Sequence, residues 1–266
     1  MSIKGIDYDK CSTCKQCLIT CTLFRYDKEN QRVFFQDSDD FCNLCGHCIA
    51  RCPEDAILYD NLGKPYEFEN LNTPEKIVSY EDLLKFFKAH RSIRRYRRKK
   101  VPKKTLEKVF EAMNYAPTAA NARTEKFSII SDNDKLKEVN DAVINELMKD
   151  EGMKRKYGTL FKLLSKAFHY PIFFDAPHVI FVTSPFNHEQ EANNIGIIIT
   201  YGRLAAESLG LGTCWNGWTQ IAMNRNPDIR KLANLKGKRV GLFTIGYPSV
   251  KFHRTAPRKI KKPEGF

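Results

Sequence analysis

The segment Cys11-Ser12-Thr13-Cys14-Lys15-Gln16-Cys17-Leu18-Ile19-Thr20-Cys21 places four thiols within eleven residues, and residues 42–52 repeat that spacing. Three thiolates spaced two residues apart can surround one cubane cluster, whereas a fourth, three residues further on, begins a short helix and points the other way. The spacing therefore predicts two 4Fe–4S clusters with crossed ligation. We expect one to be bound by Cys11, Cys14, Cys17 and Cys52, and the other by Cys42, Cys45, Cys48 and Cys21.

The two cysteine runs resemble those of bacterial two-cluster ferredoxins, which have a pseudo-twofold fold. The second run continues as Cys52-Pro53-Glu54-Asp55-Ala56-Ile57, which matches the cysteine–proline ending and the apolar strand of that family. In the first run Thr22 stands where proline is usual. Because proline there shapes the turn and removes a donor near the sulfurs, we expect the substitution to alter the surroundings of one cluster.

Zinc and disulfides are the alternative uses of these cysteines. Zinc sites use two pairs of ligands separated by a longer loop, and disulfides need an oxidising compartment. The first residues, Met1 to Gly5, show neither an apolar signal segment nor twin arginines, so we expect a reducing cytoplasm. The ninth cysteine, Cys214, lies in an apolar stretch and is interpreted as a small buried residue.

The charge of the chain is strongly positive, +13 with a pI near 9.3, and it is concentrated in two segments. Residues 88–104 contain ten lysines and arginines, and residues 254–262 form a second basic group. Two such groups can converge on one phosphate. A nucleic-acid surface is the alternative that we rank last, and acidic protein partners are a further use of the charge. No apolar stretch approaches the roughly twenty residues of a membrane span.

Composition divides the 266 residues into a ferredoxin-like domain over 1–62, a polar linker over 63–79 and a larger domain over 80–266. Apolar periodicity predicts a helix over 80–88 capped by Ser79, and a second from Pro102 to Ala116. A third, over about 189–209, is apolar on every side between Ile195 and Tyr201, so we expect burial in a core or at a subunit interface. Strands are predicted over 127–131, 178–183 and 239–245.

Four segments of the larger domain together resemble the nitroreductase family of FMN-dependent oxidoreductases, from about residue 80 to the C-terminus. They are His90-Arg91-Ser92-Ile93-Arg94, Ala116-Pro117-Thr118-Ala119-Ala120-Asn121, Leu209-Gly210-Leu211-Gly212-Thr213-Cys214-Trp215-Asn216-Gly217, and Gly246-Tyr247-Pro248 followed by Arg254 and Arg258.

The resemblance implies an α+β fold, a sheet flanked by helices, that forms a homodimer with FMN at the interface. It also implies the FMN contacts: the phosphate at Arg91, Ser92, Arg254 and Arg258, the N1/O2 edge at Arg94, the ring at Pro117, Thr118 and Asn121, and the N5/O4 region at the backbone of Asn216 and Gly217. A fixed guanidinium at N1/O2 would stabilise the negative charge that two-electron reduction leaves there.

The chain departs from the family after Asn121, where Ala122-Arg123-Thr124-Glu125-Lys126-Phe127 replaces the usual glutamine–proline and aromatic residue. We expect this departure to change the substrate face. His90 stands where many members carry arginine. Residues 150–175 are expected to cover the flavin. No G-x-G-x-x-G follows a predicted strand, so NAD(P)H would dock only transiently over the flavin, as in relatives.

These features predict an iron–sulfur flavoprotein oxidoreductase in which single electrons pass through two 4Fe–4S clusters to FMN, which reduces a small organic acceptor such as a nitro or quinone compound. The electron donor would be a protein or NAD(P)H. The alternative is an electron-transfer adaptor between carrier proteins, without a small-molecule substrate of its own. No catalytic residue is identified by the sequence.

Overall fold

A computed structural model of the chain describes residues 2–68 and 76–265. It divides the chain into two compact units, one of Met1–Val78 with Ala120–Ala122 and the other of Ser79–Ala119 with Arg123–Phe266. Part of the predicted linker, residues 69–75, lies outside the described residues. No helix in the described part of the chain is long and apolar enough to cross a membrane.

The first unit is built from short elements around a small core. In chain order they are β1 (Ser2–Ile6), α1 (Gln16–Thr20), β2 (Phe24–Asp27), β3 (Arg32–Phe35), α2 (His47–Arg51) and β4 (Ile57–Asp60). β1 pairs antiparallel with β4, and β2 with β3. Alternate strand residues meet in the core, which contains Ile3, Ile6, Phe24, Val33, Ala56 and Ile57.

An internal repeat relates the two halves of this unit. Thr13 and Lys15 adopt left-handed backbone angles, with φ of 55° and 62°. Leu44 and Gly46, each 31 residues further along (44 − 13 and 46 − 15), repeat them with φ of 54° and 74°. Positive φ is uncommon outside glycine, so its recurrence at the same offset as the cysteines shows that both turns follow one backbone plan.

The second unit contains longer helices around one sheet. Its elements are α3 (Tyr80–Ala89), α4 (Lys103–Asn114), a 3-10 turn (Ala119–Asn121), β5 (Lys126–Ile130), α5 (Asn133–Met148), α6 (Glu151–Ala167), a 3-10 turn (Pro171–Phe173), β6 (His178–Ser184), α7 (Glu189–Ser208), β7 (Gly212–Trp215), α8 (Gly217–Arg225), α9 (Pro227–Leu232) and β8 (Arg239–Gly246).

The sheet of the second unit has the antiparallel strand order β5-β6-β8-β7. β6 is buried along its whole length, because its alternate residues enter two different cores. Val179 and Phe181 pack with α5 and α8, whereas Ile180 and Val182 pack with α4 and α7. Helices therefore cover both faces of the sheet, and the predicted α+β class is confirmed.

The predicted elements agree with the structure to within about two residues, and Ser79 caps α3 by accepting a hydrogen bond from the Asp82 amide. For α7, burial within the chain accounts for only part of the expected burial, and the expectation of a subunit interface stays a prediction. The centre of α7 is not buried all round within the chain, because Ile197 is 39% exposed and Tyr201 41% exposed while Ile198 and Ile199 are buried. The helix is apolar on both faces, yet only one of them meets the core.

Candidate cluster and cofactor sites

The first hollow in the N-terminal unit is lined by thiols from both cysteine runs. Its walls include Cys11, Cys14, Cys17 and Cys52. Cys52 Sγ accepts a hydrogen bond of 3.3 Å from the Ala56 amide, which turns the sulfur away from its own run. Three thiols of the first run thus share a hollow with the last thiol of the second.

The second hollow is lined by the other four cysteines of the two runs. These are Cys21, Cys42, Cys45 and Cys48, with Thr22 beside Cys21. The short helices explain the exchange, since α1 lies between Cys14 and Cys21 and α2 between Cys45 and Cys52. Each helix carries the last cysteine of its run away from the first two.

Burial affects the protonation of three of these thiols. Burial raises the pKa of Cys17 and Cys42, and it raises the pKa of Cys48 to about 11. These thiols are therefore protonated at neutral pH until a metal displaces their protons. In the described parts of the chain, no three histidine, cysteine or acidic side chains converge closely enough to hold a single metal ion. The thiols surround hollows instead.

In the second unit, the arginine-rich segment at residues 90–96 is fixed to β7. Ser92 forms a parallel bridge with Thr213, and the Ile93 amide donates to the Thr213 carbonyl oxygen at 2.8 Å. Gly212 permits this approach, because a Cβ there would lie 2.5 Å from Ile93 Cγ1. The Tyr96 hydroxyl donates to the Ile93 carbonyl oxygen at 2.8 Å. The arginine-rich segment and the segment that contains Gly212 and Thr213, two of the four family-like segments, are therefore held together by backbone pairing.

The C-terminal segment runs alongside the arginine-rich segment. The Arg97 amide donates to the Tyr247 carbonyl oxygen, and the Ser249 amide donates to that of Arg95. Arg91 Cζ lies 5.7 Å from the centroid of the Phe252 ring. The chain segment just before the second basic group therefore runs beside the first basic group. Arg254 and Arg258, which follow Phe252, are exposed and form no hydrogen bond or ion pair within the described residues.

Arg94 lies beside the buried thiol of Cys214. Burial raises the pKa of this thiol, and the positive charges of Arg94 and Arg203 oppose the rise together with hydrogen bonds from Ser92 and Arg94. Arg94 itself is exposed and lies with Cζ 5.9 Å from the centroid of the Phe174 ring. The expectation that Cys214 is a small buried residue is confirmed, since it is 2% exposed.

Asn216 and Gly217 stand at the start of α8. The Asn216 side chain is buried and fully bonded, because its Oδ1 accepts from the Thr219 amide and its Nδ2 donates to the Ile172 carbonyl oxygen. It caps the helix and ties down the preceding turn. A Cβ at Gly217 would meet no atom within 4 Å, so the backbone, not the Asn216 amide, faces open space.

The predicted ring-binding loop is divided between the two units. Pro117 is exposed, and Thr118 Oγ1 accepts from the Arg123 amide at 3.1 Å. Asn121 belongs to the first unit, where its Nδ2 donates to the carbonyl oxygens of Asn43 and Leu44 at 2.9 Å. Whether Asn121 contacts a flavin stays a prediction.

The departure from the family at residues 122–127 borders a separate hollow of about 300 Å³. Thr118, Arg123, Glu125 and Phe127 contribute to its walls. The Glu125 Oε1 atom is buried and has no hydrogen-bond partner among the described residues. An unpaired carboxylate oxygen is costly to bury, which makes this hollow chemically unlike an ordinary packing gap.

Two charged residues that the sequence reasoning missed, Arg203 and Glu207, contact residues of the family-like segments. Arg203 Nε donates to Thr213 Oγ1 at 3.2 Å, and Glu207 Oε2 lies 3.3 Å from His90 Nδ1. Arg203 and Glu207 are one helical turn apart on α7, within an otherwise apolar stretch. That isolated pair of opposite charges, four residues apart, was the signal that could have identified them.

Residues 150–175 contribute to the core rather than forming only a surface cover. α6 is capped by Asp150, which accepts from the Met153 amide, and it directs Phe161 into the core with Tyr170 and Phe173. Tyr170 is 7% exposed, and burial raises the pKa of its hydroxyl. The expectation that this segment covers a flavin remains a prediction.

Comparison with known proteins identifies the second unit. The sequence model of the nitroreductase family matches residues 87–247, which is more than half of the chain. A Methanothermobacter thermautotrophicus protein, named as a candidate NADH dehydrogenase/NAD(P)H nitroreductase, is 26% identical over 178 residues, covering 65% of this chain and 80% of that protein.

A solved structure shares the fold, and a second relative matches the N-terminal region. The nitroreductase with bound FMN from Bacteroides fragilis is 24% identical, with a TM-score of 0.56 over 70% of this chain and 97% of its own. Pyruvate synthase subunit PorD of Methanothermobacter marburgensis is 36% identical over 52 residues, 20% of this chain and 58% of that protein. With its α+β fold and the family match across most of the second unit, this chain belongs to the nitroreductase family.

Proposed function

We propose that this chain is an iron–sulfur flavoprotein oxidoreductase, which receives electrons one at a time in its first unit and delivers them in pairs to a small organic acceptor in its second. The observation that carries the proposal is the exchange of Cys21 and Cys52 between two four-thiol hollows, in a chain whose second unit belongs to the nitroreductase family. When bound, the clusters supply one-electron carriers and FMN supplies a carrier for two electrons.

The first unit supports the assignment of 4Fe–4S clusters through its donor set. Each hollow is lined by four thiols, and polynuclear clusters of this type are held by four cysteine thiolates. Thr22 adjoins only the second hollow. The two sites are therefore inequivalent in the residues that surround the sulfurs.

The second unit supports FMN binding by the charges that it gathers. Arg91 and Ser92 would hold the phosphate with help from Arg254 and Arg258, because the C-terminal segment reaches Arg91 through Phe252. Arg94 would lie at the N1/O2 edge and stabilise negative charge there. Pro117, Thr118 and Asn121 remain proposed contacts, as does the Gly217 backbone.

A homodimer is proposed from the exposed face of α7. Ile197 and Tyr201, 39% and 41% exposed, lie four residues apart on a helix whose opposite face is buried in the core. A second copy of the chain would remove this apolar face from water. The electron donor would be a protein or NAD(P)H, and the acceptor a nitro or quinone compound.

The test is anaerobic quantification of iron and flavin in the purified full-length chain. We expect about eight irons and about one FMN per chain. A bound metal other than iron in the first unit, or purified chain that neither contains nor takes up FMN, would refute the proposal. A matched Cys214→Ser variant serves as a control, because Cys214 lines neither hollow. The iron content of this variant should equal that of the wild type.

Turnover measurements test the acceptor class. With reduced ferredoxin as electron source and a chain-free blank subtracted, a panel of nitroaromatic and quinone compounds should be reduced at rates that compete with reduction of a carrier protein. If only carrier proteins are reduced, the chain acts as an adaptor between carriers and the small-molecule acceptor is wrong.

A further inference from the structure

Arg203 is joined to the arginine-rich segment through a single residue, Thr213. Its Nε donates to Thr213 Oγ1 at 3.2 Å, while the Thr213 carbonyl oxygen accepts from the Ile93 amide at 2.8 Å. Thr213 also forms the backbone bridge with Ser92. A side chain of α7 is thereby held one residue away from the segment that carries Arg94.

The two guanidinium groups act on each other and on the same thiol. Burial lowers the pKa of Arg203, Glu207 opposes that shift, and the charge of Arg94 adds a smaller lowering effect. Both arginines also act on Cys214, which lies next to Thr213 in β7. Because like charges repel, a negatively charged group beside both guanidinium groups would be favourable.

The protein supplies little negative charge for this pair. Within the described residues no carboxylate forms a direct ion pair with Arg94 or Arg203, and Glu207, whose charge acts on Arg203 from one helical turn away, lies 3.3 Å from His90. Arg203 uses its Nε for Thr213, which leaves the outer nitrogens of its guanidinium without a hydrogen bond in the described part of the chain. The planar guanidinium of Arg203 offers two parallel N–H donors. Beside the guanidinium of Arg94, it is suited to bind a flat, delocalised anion.

We propose that Arg203 is a second cofactor-binding arginine, which pairs with Arg94 to hold the N1/O2 edge of the flavin ring when it carries negative charge. This inference rests on the proposed function, since it assigns a residue to the FMN site. Arg203 would contact the edge with its outer nitrogens, while the bond from Nε to Thr213 fixes the plane of the guanidinium.

The alternative is that Arg203 only braces Thr213 and the segment above it. The two roles differ in what they change. A brace affects folding and every ligand of the segment, whereas a cation at the ring edge affects the reduced flavin more than the oxidised one. The midpoint potential of the flavin measures that difference directly.

The test compares Arg203→Leu, Arg203→Lys and Thr213→Val in the full-length chain. Arg203→Leu should lower the flavin midpoint potential and weaken FMN binding about tenfold, as loss of a charge-assisted hydrogen bond does. Arg203→Lys keeps the positive charge, so it should lower the midpoint potential much less than Arg203→Leu does. Thr213→Val removes the bond but not the cation, so the midpoint potential should change less than with leucine.

Riboflavin binding distinguishes the ring edge from the phosphate. If Arg203 holds the ring, Arg203→Leu weakens riboflavin and FMN by the same factor, whereas a loss confined to FMN would place Arg203 at the phosphate and overturn the inference. An unchanged midpoint potential with reduced urea stability would identify a brace, which also overturns it. Failure of the proposed function looks different, since the wild-type chain would then bind no flavin.

Discussion

Replacing Gly212 by alanine tests how tightly the arginine-rich segment is held against β7. An alanine Cβ would lie 2.5, 2.8 and 2.9 Å from the Cγ1, Cβ and Cγ2 atoms of Ile93. Carbon atoms in contact need about 3.5 Å, so the segment and the strand must separate by about 1 Å. Ile93 is only 6% exposed and is β-branched, so it cannot rotate away cheaply.

The expected cost is about 1–3 kcal/mol of the free energy of unfolding, the usual range for overpacking. The same shift displaces Ser92 and Arg94, so FMN binding should weaken as well. Urea unfolding can be followed by the fluorescence of Trp215 and Trp218, which are the two tryptophans of the chain and both belong to the second unit. FMN affinity is measured by titration.

Gly158→Ala is the matched control. Gly158 lies within α6, where the nearest atom to an added Cβ is Lys154 Cγ at 3.9 Å. Alanine should stabilise this helix by about 1 kcal/mol and leave FMN affinity unchanged. If Gly212→Ala were as stable as the wild type and bound FMN equally well, the close contact with Ile93 would not position the segment, and the reasoning would fail.

Four further predictions follow from the structure. Arg94→Ala should lower the flavin midpoint potential and leave iron content unchanged, and loss of iron without a change in potential would show that Arg94 is misassigned. Burial, with a smaller effect of a nearby lysine, lowers the pKa of His178 from 6.5 to about 4. The unfolded chain therefore binds this proton at higher pH than the folded chain, and stability present above pH 6.5 should fall by at most about 3 kcal/mol as the pH drops to 4, measured by urea titration. A His178→Gln variant that loses stability equally over this range would exclude the histidine as the cause. Cys52→Ser should alter the same EPR signal as Cys14→Ser, and a change in the other cluster's signal would contradict crossed ligation. Ile197→Glu should convert a dimer to a monomer in light scattering, while an unchanged mass would remove α7 from the interface.

The elements that the sequence predicted are those with strong local signals. α4 and α7 show helical periodicity, and β6 and β8 are runs of β-branched and aromatic residues. α5 and α6 were missed although each begins after an aspartate, Asp132 and Asp150, that accepts from the amide three residues on. These capping signals were present but were outweighed by the mixed composition of residues 133–167.

The predicted nitroreductase family and the α+β class are confirmed, because the four family-like segments occur in the chain in the order that the family has. β7 could not be predicted, since its four residues acquire strand geometry only by pairing with β8, thirty residues away. Arg203 escaped for a similar reason. Nothing local shows that its helix passes beneath the arginine-rich segment, and only the tertiary fold makes Thr213 their common neighbour.

The crossing of Cys21 and Cys52 has a consequence for how the first unit matures. A nascent chain that has been synthesised only as far as residue 40 contains three of the four cysteines of one hollow and one of the four cysteines of the other. It can complete neither set of four. If the hollows hold the proposed clusters, their assembly would have to wait until both halves of the unit have been synthesised, and the two cluster sites could not be separated into independent carriers.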